Sequence, residues 1–137
     1  IAVNLAFIWG NSLLPGEISG AISDAVKNAI RWCLSFLRLP PGGGGGGGLL
    51  RKVAHFTEFA CLGVLLAWHS LLREEKHKFA LPALLGMAAG LVDETIQLIT
   101  PNRGPSLTDV WLDTSGVVAG VLLLILVHHL RKRKHNP

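Results

Sequence analysis

The sequence predicts an all-α, polytopic membrane protein: a bundle of about four transmembrane helices plus an amphipathic interfacial helix. Half of the 137 residues are hydrophobic and only 16% are charged, whereas soluble domains average roughly 25% charged residues. The apolar residues form four long runs with basic residues at their ends. A chain of this length cannot hide so much apolar surface in a water-soluble core. We therefore expect one domain, residues 1–137, with lipid as its outer solvent.

The apolar runs have different lengths. The first, residues 1–14, is short for a membrane span, and we expect it to be the end of a helix that begins upstream. The other three each have roughly the 20 residues that cross a hydrocarbon core: residues 53–72, 79–99 and 111–130. A loop over residues 100–108 separates the last two.

Residues 18–37 show a different pattern. Apolar residues such as Ile18, Ile22, Val26 and Ile30 recur at helical steps, with polar residues between them. One apolar stripe on an otherwise polar helix predicts a helix that lies in the membrane interface. The glycines at 42–48 follow two prolines and predict a flexible linker, to which we assign no chemistry.

Basic residues indicate the topology. The tail at residues 131–134 and the charged segment at 73–78 are expected in the cytoplasm by the positive-inside rule, which also places both termini there. The segment between the first two spans also holds basic residues, which weakens the asymmetry of charge that sets this orientation. Because the charges mark span ends, we expect a multi-pass protein of the cell membrane with lipids as partners and no nucleic acid.

Polar side chains gather near the outward ends of the spans. His55 and Glu58 share a face of the second span, three residues apart, and the third span carries Asp93 and Gln97 on one face, with Glu94 beside them. Each charge inside a membrane costs roughly 2.5 to 3.5 kcal/mol. We therefore expect these side chains to share a polar pocket.

The following loop and the fourth span complete this set. Arg103 and Ser106 lie in the loop, and Asp109 and Asp113 stand one turn apart at the start of the span. Arg103 offers the fork-shaped guanidinium that binds anions, so we predict that it and Ser106 bind a ligand. The seven other polar residues are the candidate catalytic residues, among which the histidine and the carboxylates are possible acid–base groups: His55, Glu58, Asp93, Glu94, Gln97, Asp109 and Asp113.

A divalent metal is the candidate cofactor, because imidazole and carboxylate groups are suitable ligands. The candidate ligands are His55, Glu58, Asp93 and Glu94. The alternative is that these polar groups only hold the helices together, since ion-pair networks also cluster.

Three ordered motifs identify a family resemblance. They read RKxxHFxEFxxLG from residue 51, DExxQ from residue 93 and PxRxxSxxDxxxDxxG from residue 101. Together they resemble the VanZ-like family of bacterial membrane proteins, which is named for a member associated with teicoplanin resistance. The resemblance covers most of the chain and implies a small helical membrane protein whose motif residues are the polar residues named above. The glycine tract departs from the family pattern.

The expected function is an extracytoplasmic-side pocket that binds or processes a phosphate- or glycan-bearing envelope lipid, such as a lipid-linked cell-wall precursor. Arg103 would hold the anion, while His55 and the carboxylates supply acid–base groups or metal ligands. The alternative is a non-enzymatic resistance protein that binds a lipophilic glycopeptide or a precursor and limits their encounter. The first hypothesis allows the pocket to catalyse a reaction on the lipid, whereas the second does not.

Overall fold

A computed structural model describes residues 1–36, 47–75, 77, 79–103 and 106–135. Within those residues the chain forms five helices and no strand, so the predicted all-α class is confirmed. In chain order they are α1 (Ala2–Ser12), α2 (Gly16–Phe36), α3 (Gly47–Leu72), α4 (Ala80–Ile99) and α5 (Leu107–His135).

The helix boundaries follow the apolar runs closely, except at the start of α3 and at both ends of α5. α3 begins at Gly47, before the predicted start at residue 53, so the last two glycines of the predicted linker are helical. Residues 42–46 of that linker lie outside the described residues. α5 begins at Leu107, because the Ser106 carbonyl accepts the Asp109 amide at 2.9 Å. Hydropathy marks the apolar part of each helix, whereas the helical backbone hydrogen bonds continue into the flanking polar sequence.

Two helices are long and apolar enough to cross a membrane. They are α4 and the part of α5 from Leu107 to Lys132. α1 has 11 described residues, or about 16 Å, roughly half of a hydrocarbon core. α3 has 26 residues, but its first half carries both basic residues and the His55–Glu58 pair. Membrane crossing by α1 and α3 therefore stays a prediction.

Close helix packing centres on α3 and α5, which share the most extensive interface. Glycines make this approach: a Cβ atom at Gly63 would overlap the carbonyl oxygen of Val117, and one at Gly120 would overlap that of Ala60. Such small residues allow helix backbones to approach closely. α4 packs against α5 and α3, while α1 packs on α4 and α3 and α2 packs on α3.

Beside its apolar core, the bundle buries carboxylates and exposes many large apolar side chains. Asp93 and Asp113 are 0% and 1% exposed, whereas Ile99 at the end of α4 is 78% exposed. Large apolar side chains also cover the outer face of α5, including Leu122 and Leu126. Soluble proteins rarely leave such continuous apolar surface uncovered or bury unpaired carboxylates. This arrangement fits a bundle with an apolar core, a cluster of buried polar groups and an apolar outer surface that lipid can cover.

Candidate functional site

The polar site lies at one end of the bundle, where four helix termini meet. The Thr100 hydroxyl, after α4, donates to the Ser12 carbonyl of α1 at 3.0 Å. The Ser106 amide, just before α5, donates to a Glu94 carboxylate oxygen at 2.9 Å. These bonds join the C-terminal ends of α1 and α4 to the start of α5. The first half of α3 then brings His55 and Glu58 to the same end.

Three side chains from three helices form the buried centre of this site. His55 Nδ1 of α3 lies 3.9 Å from Asp93 Oδ2 of α4 and 3.9 Å from Asp113 Oδ1 of α5. One ligand atom of each residue lies within 4.8 Å of the other two. Gly90 leaves room for this approach, since a Cβ atom there would stand 3.4 Å from Asp113 Cβ. We call His55, Asp93 and Asp113 the triad.

The triad carboxylates are incompletely hydrogen-bonded. Gln97, one turn after Asp93, donates its side-chain amide to Asp93 Oδ2 at 2.8 Å. Among the described residues, Asp93 Oδ1 and both carboxylate oxygens of Asp113 are buried without a hydrogen-bond partner. Buried polar atoms usually have a partner, because each lost hydrogen bond costs about 1 to 3 kcal/mol. The triad therefore presents oxygen atoms that require a donor or a cation.

A cavity of about 290 Å³ opens beside the triad, between α1, α2, α3 and the loop after α4. Its polar wall includes Asn11, Arg51, His55, Glu58 and Arg103. Its apolar wall, the set of apolar side chains in the lining, comes from the first three helices and the connection between α1 and α2: Phe7, Leu14, Ile22, Val26, Leu50 and Ala54. The cavity is thus amphipathic, with polar and apolar side chains interleaved along its lining, which also includes Ser19 and Ser23 of α2.

Arg103 contributes positive charge to this cavity. Its Nε and Nη1 atoms are buried and have no hydrogen-bond partner among the described residues. Burial, followed by the nearby Arg51 guanidinium, lowers the pKa of Arg103 from its usual range. Arginine nevertheless remains protonated in proteins. A partly desolvated cation with free donors favours an anionic ligand.

Glu58 faces the same cavity from α3. Asn11 of α1 donates its side-chain amide to Glu58 Oε1 at 3.1 Å. The other carboxylate oxygen, Oε2, is buried without a partner in the described part of the chain. Glu58 therefore fixes the end of α1 and keeps one acceptor for a ligand.

The structure brings the predicted polar residues to one end of the bundle but divides them among different contacts. Two of the four predicted metal ligands, His55 and Asp93, lie in the triad, and Asp113 takes the third place. Glu58 bonds to Asn11, while Glu94 accepts the Ser106 amide. Other contacts involve the remaining predicted residues: Gln97 with Asp93, Asp109 near Arg51 at 4.0 Å, and the Ser106 hydroxyl with Thr108 at 2.5 Å.

Two further residues of the site had weak sequence signals. Arg51 was interpreted as a topology marker, although its spacing of four residues from His55 places both on one face of α3. It lines the large cavity and also a second cavity of about 10 Å³ next to His55 and Gln97. Asn11 is not among the predicted site residues, and local spacing gives no signal for its contact, since its partner Glu58 lies on another helix.

The Asn11–Glu58 contact predicts a measurable coupling. Asn11→Leu should lower the free energy of unfolding by about 1 to 3 kcal/mol, because it leaves both Glu58 oxygens buried without a donor. Adding Glu58→Leu should restore much of the loss, since an apolar pair of similar shape needs no hydrogen bond. Denaturant titration of the two single variants and the double variant in mixed micelles measures the coupling. Additive effects of the two substitutions would contradict the contact.

Comparison with known proteins gives a family match. A family model described as VanZ/LLP1 matches residues 5–128, nearly the whole chain. No curated protein and no solved structure matches the chain. The family resemblance expected from the three motifs is therefore confirmed.

Proposed function

The chain belongs to the VanZ/LLP1 family, which makes it a VanZ-like membrane protein linked to resistance, and we propose that it binds a phosphate-bearing envelope lipid. The lipid phosphate lies against Arg51 and Arg103, and the first part of the hydrocarbon chain lies along the apolar wall of the large cavity. The protein spans the membrane several times, with this cavity on the extracytoplasmic side.

The amphipathic lining of the 290 Å³ cavity is the observation that carries the proposal. Ligand pockets combine an apolar lining with a few polar groups that fix the orientation of the ligand. Here the two arginines stand at the polar wall, while Phe7, Ile22 and Val26 belong to the apolar wall. A ligand with one anionic end and one hydrocarbon end satisfies both walls.

The hydrogen-bonding groups of the polar wall fit the same ligand. Arg103 offers two buried N–H groups that lack acceptors in the described residues. Guanidinium groups bind phosphate through charge-assisted hydrogen bonds. Glu58 Oε2 has no hydrogen-bond donor among the described residues. In the proposed complex it accepts a hydrogen bond from a hydroxyl group of a sugar attached to the phosphate. Together these groups favour a phosphorylated or glycosylated headgroup over a neutral one.

The proposed orientation follows from the two ends of α5. Its first turns form the polar site, whereas its C-terminal end carries the basic tail. The charged segment between α3 and α4 also lies at the end of these helices that is opposite to the site. The positive-inside rule favours the cytoplasm for that end. The cavity then faces the side where lipid-linked cell-wall precursors are exposed.

Binding of a polyprenyl phosphate tests the proposal. The full chain in nanodiscs of zwitterionic lipid should bind a labelled polyprenyl phosphate, and neutral polyprenol should compete poorly. Arg103→Gln should weaken this binding by roughly 10- to 100-fold, because a hydrogen bond to a charged group contributes about 1.5 to 3 kcal/mol.

Arg73→Gln is the matched control. Arg73 is exposed after the end of α3, far along the helix from the cavity, and its substitution should leave the affinity unchanged. Equal affinity of wild-type and Arg103→Gln protein would contradict the proposal. If inorganic phosphate competes as well as unlabelled polyprenyl phosphate, the hydrocarbon chain of the lipid contributes nothing to the affinity. The protein then recognises the phosphate headgroup only.

Processing of the bound lipid is the catalytic extension of this proposal. His55 lines the cavity beside Glu58 and is placed to exchange a proton with a ligand there. Release of phosphate from a polyprenyl diphosphate by wild-type protein, but not by His55→Ala, would establish an enzyme. Absence of release by both proteins would leave a binding function.

A second candidate function takes a lipophilic glycopeptide as the ligand. Family membership links the chain to resistance, and the apolar wall of the cavity suits an acyl chain. In this case the protein confers teicoplanin resistance by limiting the encounter of antibiotic and precursor. Cells producing Arg103→Ala protein at wild-type levels should then lose protection against teicoplanin, while retained protection would exclude the cavity as the determinant.

A further inference from the structure

We propose that the triad of His55, Asp93 and Asp113 is a binding site for one divalent transition-metal cation. The three residues come from three different helices and direct one nitrogen and two carboxylates toward a common point. The site stands beside the proposed lipid cavity but requires none of its lipid contacts, so the inference is independent of the proposed function.

The charge of the buried centre is the first argument. Asp93 and Asp113 are 0% and 1% exposed, and two carboxylates removed from water are neutralised by a cation or by bound protons. Among the described residues, neither forms an arginine or lysine ion pair within 4.0 Å. A divalent cation bound by two carboxylates and a neutral imidazole gives a site with no net charge.

The unpartnered oxygen atoms are the second, independent argument. Asp113 directs Oδ1 toward His55 Nδ1, and both of its carboxylate oxygens lack a hydrogen-bond partner in the described structure. The 3.9 Å separations between His55 Nδ1 and the carboxylates are too long for hydrogen bonds. A nitrogen and two carboxylates that face one another without bonding leave space for an ion between them.

The separations are close to those of a metal site. Ligand atoms at about 2.0 to 2.2 Å from a zinc-like ion stand about 3.4 Å from one another in tetrahedral geometry. Side-chain shifts of a few tenths of an ångström would bring the 3.9 Å separations to that value. The Gln97 amide holds Asp93 Oδ2, as hydrogen bonds orient ligand carboxylates in other metal sites.

The mixed donor set selects the class of metal. Carboxylate and water ligands alone suit Mg²⁺ and Ca²⁺, whereas imidazole suits transition ions. One imidazole with two carboxylates therefore favours Zn²⁺ or Mn²⁺ over the alkaline-earth ions. The cation would lie in the wall of the large cavity, since His55 lines that cavity as well.

Metal content and metal-dependent stability test this site. The full chain, stripped with a chelator and then dialysed against Zn²⁺ or Mn²⁺, should retain about one ion per chain and show a higher thermal midpoint than the stripped protein. Asp113→Asn should weaken metal binding by roughly 100-fold or more, because loss of even an outer hydrogen-bond partner costs about 10- to 100-fold. His55→Gln provides a second variant if Asp113→Asn fails to fold.

Asp24→Asn is the control, because Asp24 is an exposed carboxylate on α2 that pairs with Lys27. It should retain the ion with wild-type affinity. Failure of the wild type to retain either metal, or equal retention by both triad variants, would overturn the site and favour a triad whose charge is neutralised by bound protons. Polyprenyl phosphate binding by the stripped protein separates this result from the proposed function: retained lipid with no metal rejects the metal site only, and retained metal with no lipid rejects the lipid proposal only.

Discussion

Gly120→Ala should lower the free energy of unfolding by about 1 to 3 kcal/mol, although alanine is the better helix former. The added methyl group would overlap the carbonyl oxygen of Ala60 and approach Val64 N at 3.0 Å, and both are backbone atoms of α3. Backbone atoms cannot rotate away as a flexible side chain can, so α3 and α5 must separate. Separation would also weaken the contacts of Val117 and Phe59 in the buried core.

The matched control is Gly10→Ala in α1. A Cβ atom at Gly10 meets nothing within 4 Å, so this substitution should be neutral or stabilising by up to about 1 kcal/mol. Denaturant titration of both variants in the same mixed micelles compares the steric cost with the helix-propensity gain. A Gly120→Ala protein as stable as the wild type would mean that the α3–α5 interface is looser than described.

The helical framework could be predicted from the sequence because it depends on local pattern. Runs of apolar residues located α4 within one residue at its start and fixed its end at Ile99. The spacing of Asp93 and Gln97 predicted their shared face, and the observed hydrogen bond between them joins residues four apart. Residues three or four apart on a helix meet whatever the rest of the fold does.

Contacts between helices could not be predicted in the same way. Whether His55 meets Asp93, Glu94 or Asp113 depends on the rotation of three helices about their axes, which the apolar pattern sets only coarsely. Asp109 illustrates the limit, since one turn of α5 separates it from Asp113, yet it lies near Arg51 instead of the triad. Glycine constrains the rotation here, because a Cβ atom at Gly116 of α5 would overlap the carbonyl oxygen of Phe56 on α3.

Gly16→Ala should weaken polyprenyl phosphate binding about tenfold and destabilise the protein by about 1 to 3 kcal/mol. Gly16 is the first residue of α2, and its amide donates to the Pro101 carbonyl at 3.2 Å. A Cβ atom at this position would overlap the carbonyl oxygen of Asn102. The substitution therefore pushes α2 away from the loop that carries Arg103.

The effect on binding follows from the composition of the cavity. α2 supplies Ile22 and Val26 to the apolar wall, and the loop supplies Arg103 to the polar wall. The loop has little freedom to compensate, since Asn102 has a left-handed φ of 57° and its side chain donates to Glu17 at 3.0 Å. Displacement of α2 moves Ile22 and Val26 relative to Arg103. It therefore changes the fit of an amphipathic ligand in the cavity.

Gly20→Ala, one turn further along α2, separates this steric effect from a general effect of alanine. Nothing lies within 4 Å of a Cβ atom at Gly20, so that variant should bind the lipid as the wild type does and be slightly more stable. Binding of polyprenyl phosphate in nanodiscs and denaturant titration in micelles measure the two effects separately. If Gly16→Ala loses stability but keeps wild-type affinity, α2 is anchored by the loop without forming a wall of the ligand site, and the ligand must be held by α3 and the arginines alone.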